Sequence, residues 1–186
     1  IDPLGSTIED YLTLWYRWDR DIASNLMRIW HLEKPVISVV QGYVLGGGFW
    51  YQLACDMTVA ADNAVFGQPE VRHVSNTTFL FPLLAGWKSA SRFALTGDPF
   101  DAAEAYRMGL VTEVVPLADL HQRSWELAMR LARVPAASLR INKAITMAGL
   151  EASGVGAAMH LNGILSGLSH SLHGPEREEL LQMQRE

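Results

Sequence analysis

The chain is poor in cysteine, in long apolar runs and in positive charge. Cys55 is the single cysteine among 186 residues, which excludes an intrachain disulfide. No apolar run approaches the roughly 20 residues of a membrane-spanning helix, and no basic-then-apolar signal pattern is present. Lys and Arg number 15 against 20 Asp and Glu, a formal net charge of -5 that argues against broad nucleic-acid binding. We expect a cytoplasmic protein with no nucleic acid, membrane or metal among its partners.

Apolar residues are plentiful by contrast. They make up 49% of the chain, which is enough for one sizeable core, and we find no repeat, low-complexity tract or linker that would divide it. Cys55 follows apolar residues in a predicted helix, so we expect a small buried residue rather than a nucleophile.

The most informative segment is residues 34–50, in which an apolar, β-branched run leads into three consecutive glycines. The pattern predicts a strand followed by a helix that begins at Gly46, Gly47 and Gly48. The first N–H groups of a helix have no partner within it and the helix dipole is positive there, so this corner suits a developing negative charge. The segment is therefore a candidate oxyanion hole. A tight strand-to-helix joint that binds nothing would use the same glycines.

A second segment places a carboxylate after another short strand. Residues 57–61 are predicted to form the strand, and a turn at Asp62 and Asn63 follows. Pro69 favours an extended conformation at Gln68, so that Glu70 is presented from a loop. By itself, Glu70 could equally be a solvated loop residue.

A third block runs through residues 95–105 and 108–111 to 114–116. Together with KPVISVVQGYVLGGG at 34–48, CD at 55–56 and FGQPE at 66–70, it resembles the enoyl-CoA hydratase/isomerase family, which has the crotonase fold. The resemblance implies an α/β fold, a partial crotonase-like ββα spiral with a C-terminal helical subdomain. Residues 1–116 would be the partial core. Residues 117–186 would form the helical region that makes oligomer contacts or closes the acyl pocket.

The resemblance also implies a site. Gly47 matches the donor that binds the thioester oxygen of an acyl-CoA, and Glu70 matches the glutamate that shuttles a proton in double-bond isomerases. The implied substrate-binding residues are Leu45, Gly46, Gly48, Trp50, Pro69 and His73. The substrate would be an acyl-CoA thioester with no cofactor beyond the coenzyme A that it carries, and the assembly a homotrimer or a hexamer.

Trp50 departs from the family pattern, because it stands where hydratases have their first glutamate. An indole cannot accept a proton from water, so hydration by two glutamates is in doubt. Isomerisation needs only one such base and is therefore still possible with Trp50 at this position. Trp50 could line the acyl pocket beside a flat or aromatic tail, or it could pack in the core with Phe49 and Leu53.

The residues after Glu70 also depart from the family. Ser75 or Asn76 is expected to cap the next helix. His73 could be a second acid or base, or a structural histidine. Glu70 and His73 resemble half of a metal site for which the sequence offers no second half, and His170 with His173 likewise lack partners.

The beginning of the chain lacks the early strands and the F-x-A-G-x-D segment typical of the family, which supplies the other oxyanion donor. Residues 1–32 instead have the pattern of one amphipathic helix, starting near Ser6 or Thr7. We expect that the front part of the family's fold is absent from this sequence, and that activity would then need another chain.

The second half of the chain is predicted to be mainly helical. Helical spacing extends over residues 83–95, 101–108, 117–132, 136–148 and 155–172, with Gly109 as a C-cap and an extended run over 110–115. Residues 176–186 are predicted to form a solvated terminal helix. Candidates for subunit contact, for closing the pocket or for internal core are Met147, Met159, Leu161, Ile164 and Leu168.

These observations leave three functions open. The first is an enzyme of the enoyl-CoA hydratase/isomerase type, in which Glu70 is the proton shuttle. The second is an acyl-CoA hydrolase or a carbon–carbon lyase of the same fold, with Glu70 or His73 activating water. The third is a non-catalytic acyl-CoA-binding or assembly subunit, which Trp50 and the absent front part would suit.

Overall fold

The computed structural model describes residues 8–73, 75–171 and 183. In chain order the described elements are α1 (Ile8–Trp30), β1 (Ile37–Val40), β2 (Tyr43–Leu45), α2 (Gly47–Leu53), β3 (Met57–Ala61), β4 (Val65–Gly67), α3 (Leu80–Ala85), α4 (Trp87–Ala94), β5 (Phe100–Asp101), α5 (Ala102–Arg107), β6 (Glu113–Val115), α6 (Leu120–Ala132), α7 (Ala136–Ala152) and α8 (Val155–Ser171). Short 3-10 helices cover Pro69–His73 and Leu117–Asp119.

The described strands form two small sheets. One has the order β1-β3-β6 with all strands parallel, and the other has β2 parallel to β4 and β5 antiparallel to β4. In the second sheet Leu45 pairs with Gly67, the last residue of each strand. Because parallel strands end at the same edge, this register brings the segment after β2 and the segment after β4 together. These segments carry the glycine corner and Glu70.

Aromatic packing holds this edge against the helices. Phe49 of α2 is fully buried and meets Phe81 of α3 edge to face, with ring centroids 5.1 Å apart at 90°. Phe66 of β4 stacks on Phe100 of β5 at 5.8 Å. Edge-to-face and offset pairs add to the hydrophobic term, so this cluster fixes where α2 begins relative to β4.

Helix α8 lies directly against α1 because two of its glycines allow a close approach. A methyl group added at Gly167 would lie 2.8 Å from the Cα of Tyr16, and one at Gly163 would lie 3.2 Å from the Cα of Arg20. The two glycines are one helical turn apart and share a face. This contact joins the first described helix to the last.

Several predictions are confirmed by the structure. The strand at residues 57–61 and the helix that starts at the glycines are present, and Gly109 ends α5 with a φ of 77°. Residues 136–152 and 155–171 are helical, in agreement with the predicted helical second half. The division of the chain at residue 116 stays a prediction.

Other predictions are wrong. Residues 83–95 do not form one helix, because Gly86, with a φ of 78°, separates α3 from α4. Neither Ser75 nor Asn76 caps α3. Instead, the Asn162 side chain of α8 accepts a hydrogen bond from the Phe79 N–H at 2.7 Å, which satisfies a donor at the start of α3.

Cys55 is also placed differently from its prediction, since it is only half-buried and lies beyond the end of α2. Burial raises the pKa of the Cys55 thiol above its ordinary value, and the neighbouring Asp56 raises it further while Lys143 opposes them. Lys143 contacts Asp56 at 2.7 Å in an ion pair that ties α7 to the segment before β3.

Some predicted features fall outside the description. The helix start at Ser6 or Thr7 and the terminal helix over 176–186 lie outside the described residues. Of the candidate contact residues, Met159 is buried in the core, whereas Leu161 and Leu168 are exposed. Among the described residues, no helix combines the length and the apolar character needed to cross a membrane.

Candidate active site

The glycine corner forms where β2 passes into α2. Gly46 has φ 51° and ψ -122°, a conformation that glycine adopts readily and L-residues do not. Its N–H donates to the Gly67 carbonyl at 3.1 Å, which ties the corner to the end of β4. The helix then begins at Gly47, and the N–H groups of Gly47 and Gly48 find no acceptor within the described residues.

The space on the side-chain face of Gly47 and Gly48 is open. A methyl group added at Gly47 or at Gly48 would meet no heavy atom within 4 Å. Side chains of the described residues therefore leave this face of Gly47 and Gly48 free.

The carboxylate of Glu70 also lies at this corner, against Gly46. A methyl group at Gly46 would overlap Oε1 of Glu70 and would lie 2.8 Å from its Cδ and 3.2 Å from its Oε2. Oε2 is buried and has no hydrogen-bond partner among the described residues. The prediction that Glu70 comes from a loop is wrong in detail, because Glu70 lies on the short 3-10 helix Pro69–His73. An acceptor oxygen buried without a partner is costly, so Oε2 is available to accept a hydrogen bond from a ligand.

Trp50 is partly buried and packs against the central apolar cluster that includes Phe49 and Leu53. Contacts with the core therefore bury part of the Trp50 ring. Its Nε1 is buried without an acceptor among the described residues, one turn along α2 from Gly47. Trp50 thus offers a donor, and no acceptor, on the helix that carries the corner.

The remaining predicted site residues frame the corner. Leu45 is the last residue of β2, and Pro69 begins the 3-10 helix that carries Glu70. The backbone of His73 ends that 3-10 helix, but its side chain lies outside the described part of the structure. The roles assigned to these residues stay predictions.

Gln68 is a supporting residue that the sequence did not single out. It is almost fully buried, its Oε1 accepts from the Thr77 hydroxyl at 2.6 Å, and its Nε2 donates to the Asn76 carbonyl at 3.4 Å. Both bonds hold the residue immediately before Pro69. A buried Gln68 therefore fixes the approach of the chain to Glu70, and a polar residue in an apolar strand context was the available signal.

The structure places no metal site at this position. Within residues 8–73, 75–171 and 183, no three histidine, cysteine or acidic side chains are grouped to hold a metal ion. His170 contacts Asp19 at 2.8 Å and Ser75 at 3.2 Å, and His173 lies outside the description.

Cavities are found elsewhere on the molecule. One of about 420 Å³ includes Trp30, Lys143 and Met147 in its lining, and one of about 570 Å³ includes Ile37 and Leu139. Neither lining includes Gly47, Trp50 or Glu70. Volume alone would favour the surface beside α7, but the unpaired donors and the buried carboxylate oxygen lie at the glycine corner, which we take as the candidate site.

Comparison with known proteins finds relatives that are named as acyl-CoA hydratases. A crotonyl-CoA hydratase from Syntrophomonas wolfei is 37% identical over 124 residues, which cover 64% of this chain and 48% of the relative. An (E)-benzylidenesuccinyl-CoA hydratase from Thauera aromatica is 35% identical over 157 residues, covering 82% and 57%. The chain spans about half the length of such curated relatives.

Solved structures extend the likeness to the whole described fold. The crystal structure of an enoyl-CoA hydratase/isomerase from Xanthobacter autotrophicus Py2 matches with a TM-score of 0.86 at 27% identity, over 94% of this chain and 65% of that one. The chain therefore has the crotonase fold. The family model for enoyl-CoA hydratase/isomerase matches residues 16–172, and the chain belongs to that family.

Proposed function

We propose that the protein is an acyl-CoA enzyme in which Gly47 N–H binds the thioester oxygen and Glu70 moves a proton. One observation carries this proposal above the others. The carboxylate of Glu70 packs against Gly46, beside the open start of α2, and its Oε2 has no partner among the described residues. The proposed proton acceptor thus contacts Gly46, the residue immediately before the proposed anion stabiliser Gly47.

The proposed reaction is a migration of a double bond through an enolate. Glu70 removes a proton from the acyl chain, and the electrons of the broken C–H bond move toward the thioester carbonyl. Gly47 N–H donates to the oxygen that becomes negative. A donor fixed in this way lowers the transition state by about 3 kcal/mol. Glu70 then returns the proton to a different carbon, so atoms and charge balance and no further cofactor is needed.

Trp50 favours isomerisation or related enolate chemistry over hydration by two glutamates. Hydration needs a group that accepts a proton from the attacking water, and the indole of Trp50 can only donate. The flat ring suits an acyl group with an aromatic tail. The Thauera aromatica relative is named for a benzylidene-bearing acyl-CoA, which is consistent with such a substrate.

We further propose that the working enzyme is an assembly, a homotrimer or hexamer, in which another chain supplies the second oxyanion donor. Apolar side chains on α7 and α8 support an interface, since Ile141, Ile145, Leu161 and Leu165 are each more than half exposed.

Replacing Glu70 with Gln tests the proposal. Glutamine keeps the shape of the side chain but cannot take up a proton, so turnover of an enoyl-CoA substrate should fall about 100-fold or more. Glu126→Gln is the matched control, because Glu126 is an exposed residue on α6. Unchanged turnover in the Glu70 variant would show that the assigned role is wrong.

The products distinguish the other functions. A free carboxylic acid or a cleaved carbon chain would identify a hydrolase or a lyase of this fold. Calorimetric binding of an acyl-CoA without any conversion by the full-length protein would identify a binding or assembly subunit.

A further inference from the structure

Three side chains from distant parts of the chain form a continuous hydrogen-bonded array. His170 of α8 places Nδ1 2.8 Å from Oδ2 of Asp19 on α1, and its Nε2 lies 3.2 Å from Oγ of Ser75. Ser75 belongs to the segment between the 3-10 helix of Glu70 and α3. A hydroxyl, an imidazole and a carboxylate in this order are the parts of an activated serine nucleophile.

The packing of α8 on α1 fixes the acid and the base of this array. The close approach at Gly163 and Gly167 sets α8 against α1 in the register that brings His170 to Asp19. The imidazole also stacks on the Trp15 ring, with centroids 4.6 Å apart and planes 16° from parallel. The ring therefore has little freedom to turn away from Ser75.

The contacts of His170 also fix its tautomer. Nδ1 faces two acceptors, the Asp19 carboxylate at 2.8 Å and the Ser166 carbonyl at 3.1 Å. Nδ1 must therefore carry the proton, and in the neutral ring Nε2 is left as an acceptor. The Ser75 hydroxyl then donates to Nε2, which is the arrangement a general base needs.

Burial differs along the array in the way a nucleophile requires. Asp19 is only 3% exposed, so its negative charge acts on the imidazole with little screening by water. Ser75 and His170 are partly exposed and can be reached from outside. The N–H of Asn76, the residue after Ser75, has no acceptor among the described residues. In α/β-hydrolases the N–H of the residue after the nucleophile is one of the oxyanion donors.

We propose that Ser75, His170 and Asp19 form a second acyl-transfer site, which cleaves small activated esters or thioesters. Oγ of Ser75 attacks the acyl carbonyl carbon, its proton passes to Nε2 of His170, and the Asn76 N–H binds the oxyanion. The C–O or C–S bond of the substrate breaks, and the leaving group takes the proton from Nε2. Water then attacks the acyl-serine with His170 as base, releasing the carboxylic acid and restoring Ser75. Asp19 orients the imidazole and stabilises its positive form.

The test uses the purified full-length protein with two probes, a fluorophosphonate and p-nitrophenyl acetate. We expect one equivalent of fluorophosphonate per chain, located on Ser75 by peptide mass spectrometry. Ser75→Ala should abolish labelling, and Asp19→Asn should slow both reactions about 100-fold, because the wrong tautomer would be favoured. Ser138→Ala, an exposed serine on α7, is the matched control and should react as the parent protein does.

The outcomes separate this proposal from the proposed function. Glu70→Gln should leave labelling of Ser75 unchanged while it lowers enoyl-CoA turnover. No label on Ser75 in the parent protein, or a rate that Asp19→Asn does not alter, would overturn the proposal. Since the site of labelling is read in the parent protein, this result does not depend on the variants folding.

Discussion

Gly46→Ala should lower both the stability and the activity of the protein, because the added methyl group would strain the backbone and displace the carboxylate of Glu70. It would overlap Oε1 of Glu70 and lie 2.8 Å from Cδ. The backbone at φ 51° and ψ -122° is also strained for alanine. Backbone strain of this kind costs about 1–3 kcal/mol, and the end of the Glu70 side chain can shift at little further cost, so the free energy of unfolding should fall by about 2 kcal/mol.

Displacement of Glu70 should add a loss of activity. If the carboxylate is pushed about 1 Å from its position, the rate of proton transfer should fall about 100-fold. Gly42→Ala is the matched control, because Gly42 has a similar φ of 59° but a methyl group there would meet no heavy atom within 4 Å. We expect this control to lose about 1 kcal/mol of stability and to keep its activity.

Urea unfolding and initial rates with an enoyl-CoA substrate measure the two effects. Equal losses of stability in both variants, with equal activity, would show that Glu70 does not pack against Gly46. The geometry of the proposed site would then be wrong, whatever the family of the protein.

Two further predictions concern stability and reactivity. Asn162→Ala should lower the free energy of unfolding, measured in urea, by about 1–2 kcal/mol. The variant loses the hydrogen bonds with the Phe79 N–H at 2.7 Å and with the Thr77 carbonyl at 3.1 Å. Asn142→Ala, at an exposed position on α7, should lower the free energy of unfolding by less than half as much. Equal costs would contradict the capping role of Asn162. Alkylation of Cys55 by iodoacetamide should reach its half-maximal rate at a higher pH in the folded protein than in urea, because burial raises the pKa of the thiol. The same shift means that the folded state holds the thiol proton more tightly, so the stability it contributes is present below the unfolded pKa and is lost as pH rises through the folded pKa. Identical pH profiles would contradict the placement of Cys55.

The glycine corner could be predicted from sequence because its causes are local. β-branched residues favour the strand, glycines allow the turn, and the periodicity of apolar residues predicts the helix that follows. The motifs around Gly47 and Glu70 indicated the family. In the structure, the pairing of strands β2 and β4 brings these two residues together. The prediction was thus most accurate where the local conformational preferences of the residues agree with the tertiary fold.

The contacts of residues 75 to 79 could not be predicted, because their partners are distant in the sequence. Ser75 was expected to cap α3, but its hydroxyl contacts His170, which is 95 residues away. The capping side chain is Asn162, 83 residues from Phe79. Local preference identified polar residues that needed partners, but only the packing of α8 determined which partners they found.

The break at Gly86 shows a different limit. Apolar spacing continues across residues 83–95, and periodicity alone cannot tell a glycine within a helix from one that ends it. In the structure Gly86 has a φ of 78°, which is not helical, so one helix ends before Gly86 and another begins after it.

Deuterium exchange is the most direct measurement of the central proposal, that one carboxylate moves a proton beside an anion-binding corner. The full-length protein would be incubated with an acyl-CoA in D₂O, and deuterium at the carbon next to the thioester would be followed by NMR. We predict exchange in the parent protein and in Glu126→Gln, and a loss of about 100-fold or more in Glu70→Gln. Exchange at the parent rate in the Glu70 variant would contradict the account.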